Sequence, residues 1–137
     1  MRVDLVLDAS VAAKFYFPED GSEQARAVLT SGVVVAAPDL LFIEMASVAA
    51  KLVRRGLCSP DAGRDAVGSI GELVDEIAPI SGLSARAFVF ARDNNFSAHD
   101  GAYLALAERL SAPVLTADRR LVDKARALGA GSLVRQL

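Results

Sequence analysis

Val3-Asp4-Leu5-Val6-Leu7-Asp8 is a short apolar run that ends at an acid, with Ala9 and Ser10 behind it. The run reads as a first strand. Ser10 is placed to cap a short helix reaching Phe17, where Pro18 stops it. The alternation continues outward. A helix after Ser22 ends at Gly32, Val33–Ala36 is a second buried strand closed by Pro38, and Asp39 is placed to cap a long helix over Leu40–Arg55. Arg54 and Arg55 in its last turn and Gly56 behind them complete that helix. Ser59-Pro60-Asp61 opens another by its cap and N1 proline, and Gly63, Gly68 and Gly71 weaken it. Ile77–Ile80 is a third short strand, and Pro79 marks it as an edge or irregular one. Helices then run from Ser84 to about Arg92 and from Ser97 to Leu110. Pro113–Thr116 is the fourth strand, Arg119–Leu128 a helix and Ser132–Arg135 a last strand. This order implies a parallel sheet covered by helices on both faces. Such sheets bind ligands beyond the carboxyl ends of their strands. Asp8 directly follows the first strand, and Asp118 stands two residues past the fourth.

The chain of 137 residues suits one domain, taken as residues 1–137. An apolar fraction of 53% is enough for a substantial core and too high for a disordered chain. No apolar run approaches the ~20 residues that cross a bilayer, and residues 3–7 are too short and too acidic for a secretory segment. A cytoplasmic protein without a membrane partner is expected. The single cysteine, Cys58, fits a reducing compartment and reads as an incidental thiol. A net charge of −2 does not by itself suggest nucleic acid, whose binders usually carry a basic excess. The high apolar content makes self-association plausible.

Four acids stand out. Singly, each has a plain structural explanation: Asp8 ends a strand, Asp118 caps the following helix, and Asp100 closes a weak capping box with Ser97. Glu44 resists such an explanation. It lies within Leu-Leu-Phe-Ile-Glu-Met-Ala-Ser-Val-Ala-Ala (40–50), with Leu40, Leu41 and Val48 on its own face and no basic residue three or four positions away. A helix apolar nearly all round is buried, and a buried carboxylate is protonated, paired or bound to a metal. Asp100 shows the same tension beside Phe96, Tyr103 and Leu104. Four carboxylates in one pocket are tolerable with cations between them. Oxygen ligands without a histidine or cysteine cluster favour Mg²⁺ or Mn²⁺ over zinc.

The chain resembles the PIN-domain nucleases, specifically the VapC-type toxins of toxin–antitoxin modules. The resemblance covers essentially the whole sequence and rests on four pieces in order: Val-Leu-Asp-Ala-Ser (6–10), Ala-Pro-Asp-Leu-Leu-Phe-Ile-Glu (37–44), Ser-Ala-His-Asp-Gly-Ala-Tyr-Leu-Ala-Leu-Ala (97–107) and Leu-Thr-Ala-Asp-Arg-Arg-Leu (115–121). It implies a three-layer α/β/α PIN-like domain with a central, mostly parallel sheet of about five short strands. Asp8, Glu44, Asp100 and Asp118 are then the catalytic acids and metal ligands, with Ser10 and Thr116 in supporting positions. Gly101 departs from the alanine the family usually has there, and His99 is given no role.

The resemblance further implies endoribonuclease action, in which a water activated by Mg²⁺ (or Mn²⁺) cuts RNA phosphodiester bonds and leaves a 5′-phosphate and a 3′-hydroxyl. It implies a homodimer and a cognate antitoxin whose peptide covers the acidic pocket. Lys14, Lys51, Arg54, Arg55, Arg86, Arg92, Arg119 and Arg120 are available for RNA phosphates. Segments 40–50 and 87–91 are candidate interfaces as well as core. An aspartyl-phosphate phosphatase also places Asp after a first strand, but its second acid falls here on Ser10 and its lysine is missing from Thr116-Ala117-Asp118. A Ser-His-Asp hydrolase lacks its Gly-x-Ser-x-Gly turn. A silent PIN-like binding module is marked by loss of an acid, and all four are present.

Overall fold

The computed structural model describes residues 2–137. The chain alternates strands and helices: β1 (Leu5–Leu7), α1 (Ala9–Tyr16), α2 (Ser22–Leu29), β2 (Val35–Pro38), α3 (Leu40–Arg54), α4 (Pro60–Ser69), β3 (Glu76–Ala78), α5 (Ser84–Asn94), α6 (Ala98–Leu110), β4 (Val114–Thr116), α7 (Arg119–Ala127) and β5 (Val134–Gln136). The strands form one sheet in the order β3-β2-β1-β4-β5. Every pairing in it is parallel.

Side-chain alternation along each strand supplies both layers. Leu5 and Leu7 of β1, Val35 and Ala37 of β2 and Leu115 of β4 face α1, α2, α3 and α4, where Val11, Ala12, Ala25, Leu41, Met45 and Ala66 complete one core. Val6, Ala36, Val114 and Val134 face the other way, onto Phe90, Tyr103, Leu106, Leu121 and Val122 of α5, α6 and α7. Three layers and five strands are thus realised, with β3 at an edge as Pro79 foretold.

Two local details differ from expectation. Ser10 lies inside α1, because Asp8 already holds the extended N-cap conformation there. Asp39 does occupy the N-cap position of α3, but its side chain makes no cap. Its Oδ1 accepts instead from the Ile80 amide at 2.9 Å, tying β2 to the chain beyond β3. Ser59 caps α4 as anticipated, accepting from the Ala62 amide. Gly63 is less a weakness than a packing device. A Cβ there would stand 3.1 Å from Cγ2 of Val53, so the glycine lets α4 settle on α3.

Connections from β1 lead through β2 to β3 on one side, and the chain then returns to place β4 and β5 on the other. The order reverses between β1 and β4. In an open α/β sheet that reversal opens a crevice beyond the strand ends. Asp8 and Asp118 flank it.

Candidate active site

Asp8 leaves β1 at the crevice with its backbone amide bonded to the Leu115 carbonyl of β4, at 3.3 Å. Two hydroxyls hold its side chain by one oxygen: Thr116 donates to Oδ2 at 2.6 Å and Ser10 at 2.9 Å. Thr116 is fully buried, and its Oγ1 also accepts from the Asp118 amide at 3.0 Å. Ser10 Oγ in turn accepts from the Ala117 amide. Ser10 and Thr116 therefore bind the two strand ends into one unit around Asp8. Asp118 caps α7, with Oδ1 accepting from the amides of Arg120 and Leu121.

Glu44 comes from α3 on one layer and meets Tyr103 of α6 on the other. The Tyr103 hydroxyl donates to Glu44 Oε1 at 2.6 Å. The compensation that a half-buried glutamate requires is thus partly supplied by a phenol. No spacing rule within α3 could reveal a donor 59 residues away, although Tyr103 shares a helix face with Asp100. His99, given no role from the sequence, lines a cleft of about 390 Å³ with Glu44, Ala9, Ile43, Ser47 and Val48. Asp100 sits in the first turn of α6, whose N-cap Ser97 accepts from the Asp100 amide.

The four acids share one field. Burial pushes Asp8 above the usual carboxylate range against the hydroxyls of Thr116 and Ser10, and the charge of Asp118 adds to the rise. Burial also raises Glu44, opposed by Tyr103 and His99 and reinforced by Asp8 and Asp100. Asp100 is raised by burial and then by Asp8 and Asp118, with Ser97 and Lys124 opposing. The ion pairs among the described residues lie elsewhere, at Lys14–Glu19, Arg64–Asp61, Arg86–Glu108 and Arg92–Asp93. Among those residues, the second oxygens of Glu44 and Asp118 have no hydrogen-bond partner, and the Ala9 amide adds to the hydroxyls in holding Asp8. Among the described residues no fully buried side-chain oxygen is left unpaired, so these second oxygens keep some contact with solvent.

Among the described residues, no three His, Cys, Asp or Glu side chains stand close enough to grip one ion as they are. The donor set itself suits a hard cation: it consists of carboxylate and hydroxyl oxygens, with three acids raised in pKa and none ion-paired.

Gly101 has a packing reason. A Cβ on it would lie 2.7 Å from the Ala87 carbonyl oxygen and 3.1 Å from the Ala87 Cα. Helix α6 approaches the α5 backbone more closely than alanine allows. Gly101→Ala is expected to cost about 1–3 kcal/mol through overpacking, and a thermal melt reads it directly. The neighbouring Asp100 shifts with the helix, so activity should fall as well.

An α/β protein with acids gathered at the switch point of a parallel sheet is the class that fold and geometry define. The chain belongs to the PIN-domain family, whose model matches residues 5–127. It is 33% identical to Ribonuclease VapC3 of Pyrobaculum aerophilum over 126 residues, which is 90% of this chain and 96% of that protein. Ribonuclease VapC9 of Mycobacterium tuberculosis is 34% identical over 123 residues, covering 90% and 92% of the two chains. Among solved structures, PAE2754 of Pyrobaculum aerophilum superposes with a TM-score of 0.73 at 17% identity, over 99% of this chain and 92% of that one. VapC20 of Mycobacterium tuberculosis, described as a sarcin-ricin loop cleaving toxin, gives 0.69 at 17% identity over 90% and 95%.

Proposed function

We propose that residues 1–137 act as one nuclease domain, a metal-dependent endoribonuclease and the toxin half of a toxin–antitoxin pair. The observation that carries this reading is the set of four acids around the β1–β4 crevice, three of them raised in pKa by burial and none paired to a cationic side chain among the described residues. Names of relatives over 90% of the chain support the same reaction class.

Asp8, Asp100 and Asp118, with Glu44, are the residues that would hold Mg²⁺ or Mn²⁺. When bound, such an ion supplies positive charge to the scissile phosphate and activates water for attack. The protein's part is preorganisation. Ser10 and Thr116 fix Asp8 at the strand ends, and the α7 amides fix Asp118, so these two acids are held in place before any ion binds. The RNA phosphates need basic partners around this acidic centre. Lys14 is engaged by Glu19 and the Asp20 carbonyl, Arg86 by Glu108 and Arg92 by Asp93. Arg119 and Arg120 make no ion pair among the described residues and are exposed in the first turn of α7. Cations at a helix N-terminus are unfavourable for stability, which points to a ligand. Replacing both by alanine is expected to raise KM several-fold with kcat little changed. It should also lower the salt slope of single-stranded RNA binding by about 0.7 per arginine, measured by fluorescence anisotropy across a salt series.

The partners in this reading are RNA, a cognate antitoxin and a second copy of the chain. Ile43 and Phe88 are 66% and 59% exposed, within the segments whose sequence suggested an interface. An apolar groove of about 450 Å³ between α3 and α4, lined by Ala46, Ala49, Val53, Gly63 and Val67, offers the antitoxin a surface. A cytoplasmic location belongs to the same proposal; among the described residues no helix is long and apolar enough to cross a membrane.

The test is cleavage of end-labelled RNA by antitoxin-free protein with Mg²⁺, Mn²⁺ or EDTA. Metal-dependent cuts bearing 5′-phosphates support the reading. A folded protein that binds no divalent ion overturns it in favour of a binding module.

A further inference from the structure

We propose that Tyr103 is a positioning residue of this site: it clamps Glu44 by Oε1, so that the glutamate works through Oε2 alone. The inference rests on the nuclease reading and adds a residue to it.

Tyr103 is 2% exposed, yet its hydroxyl reaches the acidic crevice and donates to Glu44 at 2.6 Å. Glu44 is the only hydrogen-bond partner of that hydroxyl among the described residues. Phenylalanine would fill the same space in the core around Leu104 and Leu106, so packing alone does not require the oxygen. The bond spans the two helical layers, from α6 to α3, and meets beyond the strand ends.

The type of donor matters. A lysine or arginine in that place would neutralise Glu44 and compete with any cation. A phenol satisfies one oxygen and leaves the negative charge intact. Glutamate also has more rotatable bonds than the aspartates at the other positions, and its position must be fixed before reaction to be useful. Asp8 is held in the same manner: two hydroxyls fix it by Oδ2.

The experiment is a double-mutant cycle of Tyr103→Phe and Glu44→Ala, read by Mn²⁺ affinity in EPR titrations and by kcat and KM on RNA. Tyr103→Phe is expected to weaken Mn²⁺ binding about 10-fold and to lower kcat by 10–100-fold, in the range of lost outer-shell support at metal sites, with KM little changed. In the Glu44→Ala background the same substitution should add nothing. Equal losses in both backgrounds, or none in the native one, overturn the proposal. Fluorotyrosine labelling keeps the fold native: of the two tyrosines, the Tyr103 ¹⁹F signal should shift on Mg²⁺ addition, and Glu44→Ala should abolish the shift. A shift that survives Glu44→Ala counts against the clamp. If native protein cuts no RNA, the nuclease reading fails, while the Mn²⁺ cycle still decides the role of Tyr103.

Discussion

Asp8→Asn should reduce RNA cleavage by about 10³-fold or more, equivalent to ~4 kcal/mol of transition-state stabilisation, while the protein melts at the same or a higher temperature. The geometry separates the two effects. Ser10 and Thr116 both donate to Oδ2, so the amide oxygen of asparagine takes that place and keeps both bonds. Its NH₂ then faces the crevice where Oδ1 stood, presenting donors where a cation or a polarised water needs an acceptor. The substitution also removes a charge that burial and Asp118 disfavour. A variant that loses activity and gains stability is the signature of a strained functional acid. A variant that loses both would place Asp8 among structural residues.

The second large effect concerns pH and metal together. Asp8, Glu44 and Asp100 all have folded-state pKa values raised above those of the unfolded chain, with burial as the first cause. From the usual carboxylate range near pH 4 up to the raised values, the folded state therefore binds more protons than the unfolded one. Stability falls as pH rises through that window. Metal-free protein is expected to melt highest in mild acid and to lose stability towards neutrality. Saturating Mn²⁺ should reverse the loss at pH 7. At a hundred times its Kd it contributes about 2.7 kcal/mol, or roughly 10 °C for a chain of this size. The gain should shrink near pH 4, where protons compete for the same oxygens. Calorimetry at the two pH values, with and without Mn²⁺, measures this. An equal Mn²⁺ effect at both would place the ion away from these acids.

How much of this was legible in the sequence depends on distance along the chain. The β1 run, the Ser59-Pro60 helix start and Pro79 at an edge are local signals, and the strands and helices follow them to within a few residues. The placement of Asp8 and Asp118 follows from strand ends plus the general rule for parallel sheets. Three features were not legible because their causes lie far away in sequence. Asp39 looks like a cap, yet it bonds the Ile80 amide 41 residues on. Gly101 looks like a mild weakness at a helix start, and only the approach of Ala87 explains it. Glu44 was recognised as needing compensation, but a phenol from α6 could not be chosen over a cation without the fold.

The pairing of β1 with β4 bears on when the acidic site can form. Asp8 leaves the ribosome 108 residues ahead of Thr116, a delay of roughly 5–20 s at common translation rates. During that interval the nascent chain holds its first acid with no scaffold to orient it. The crevice between β1 and β4 does not exist until β4 has emerged. Sheet order thus acts as a timer: the acidic site cannot assemble while most of the chain is still being made.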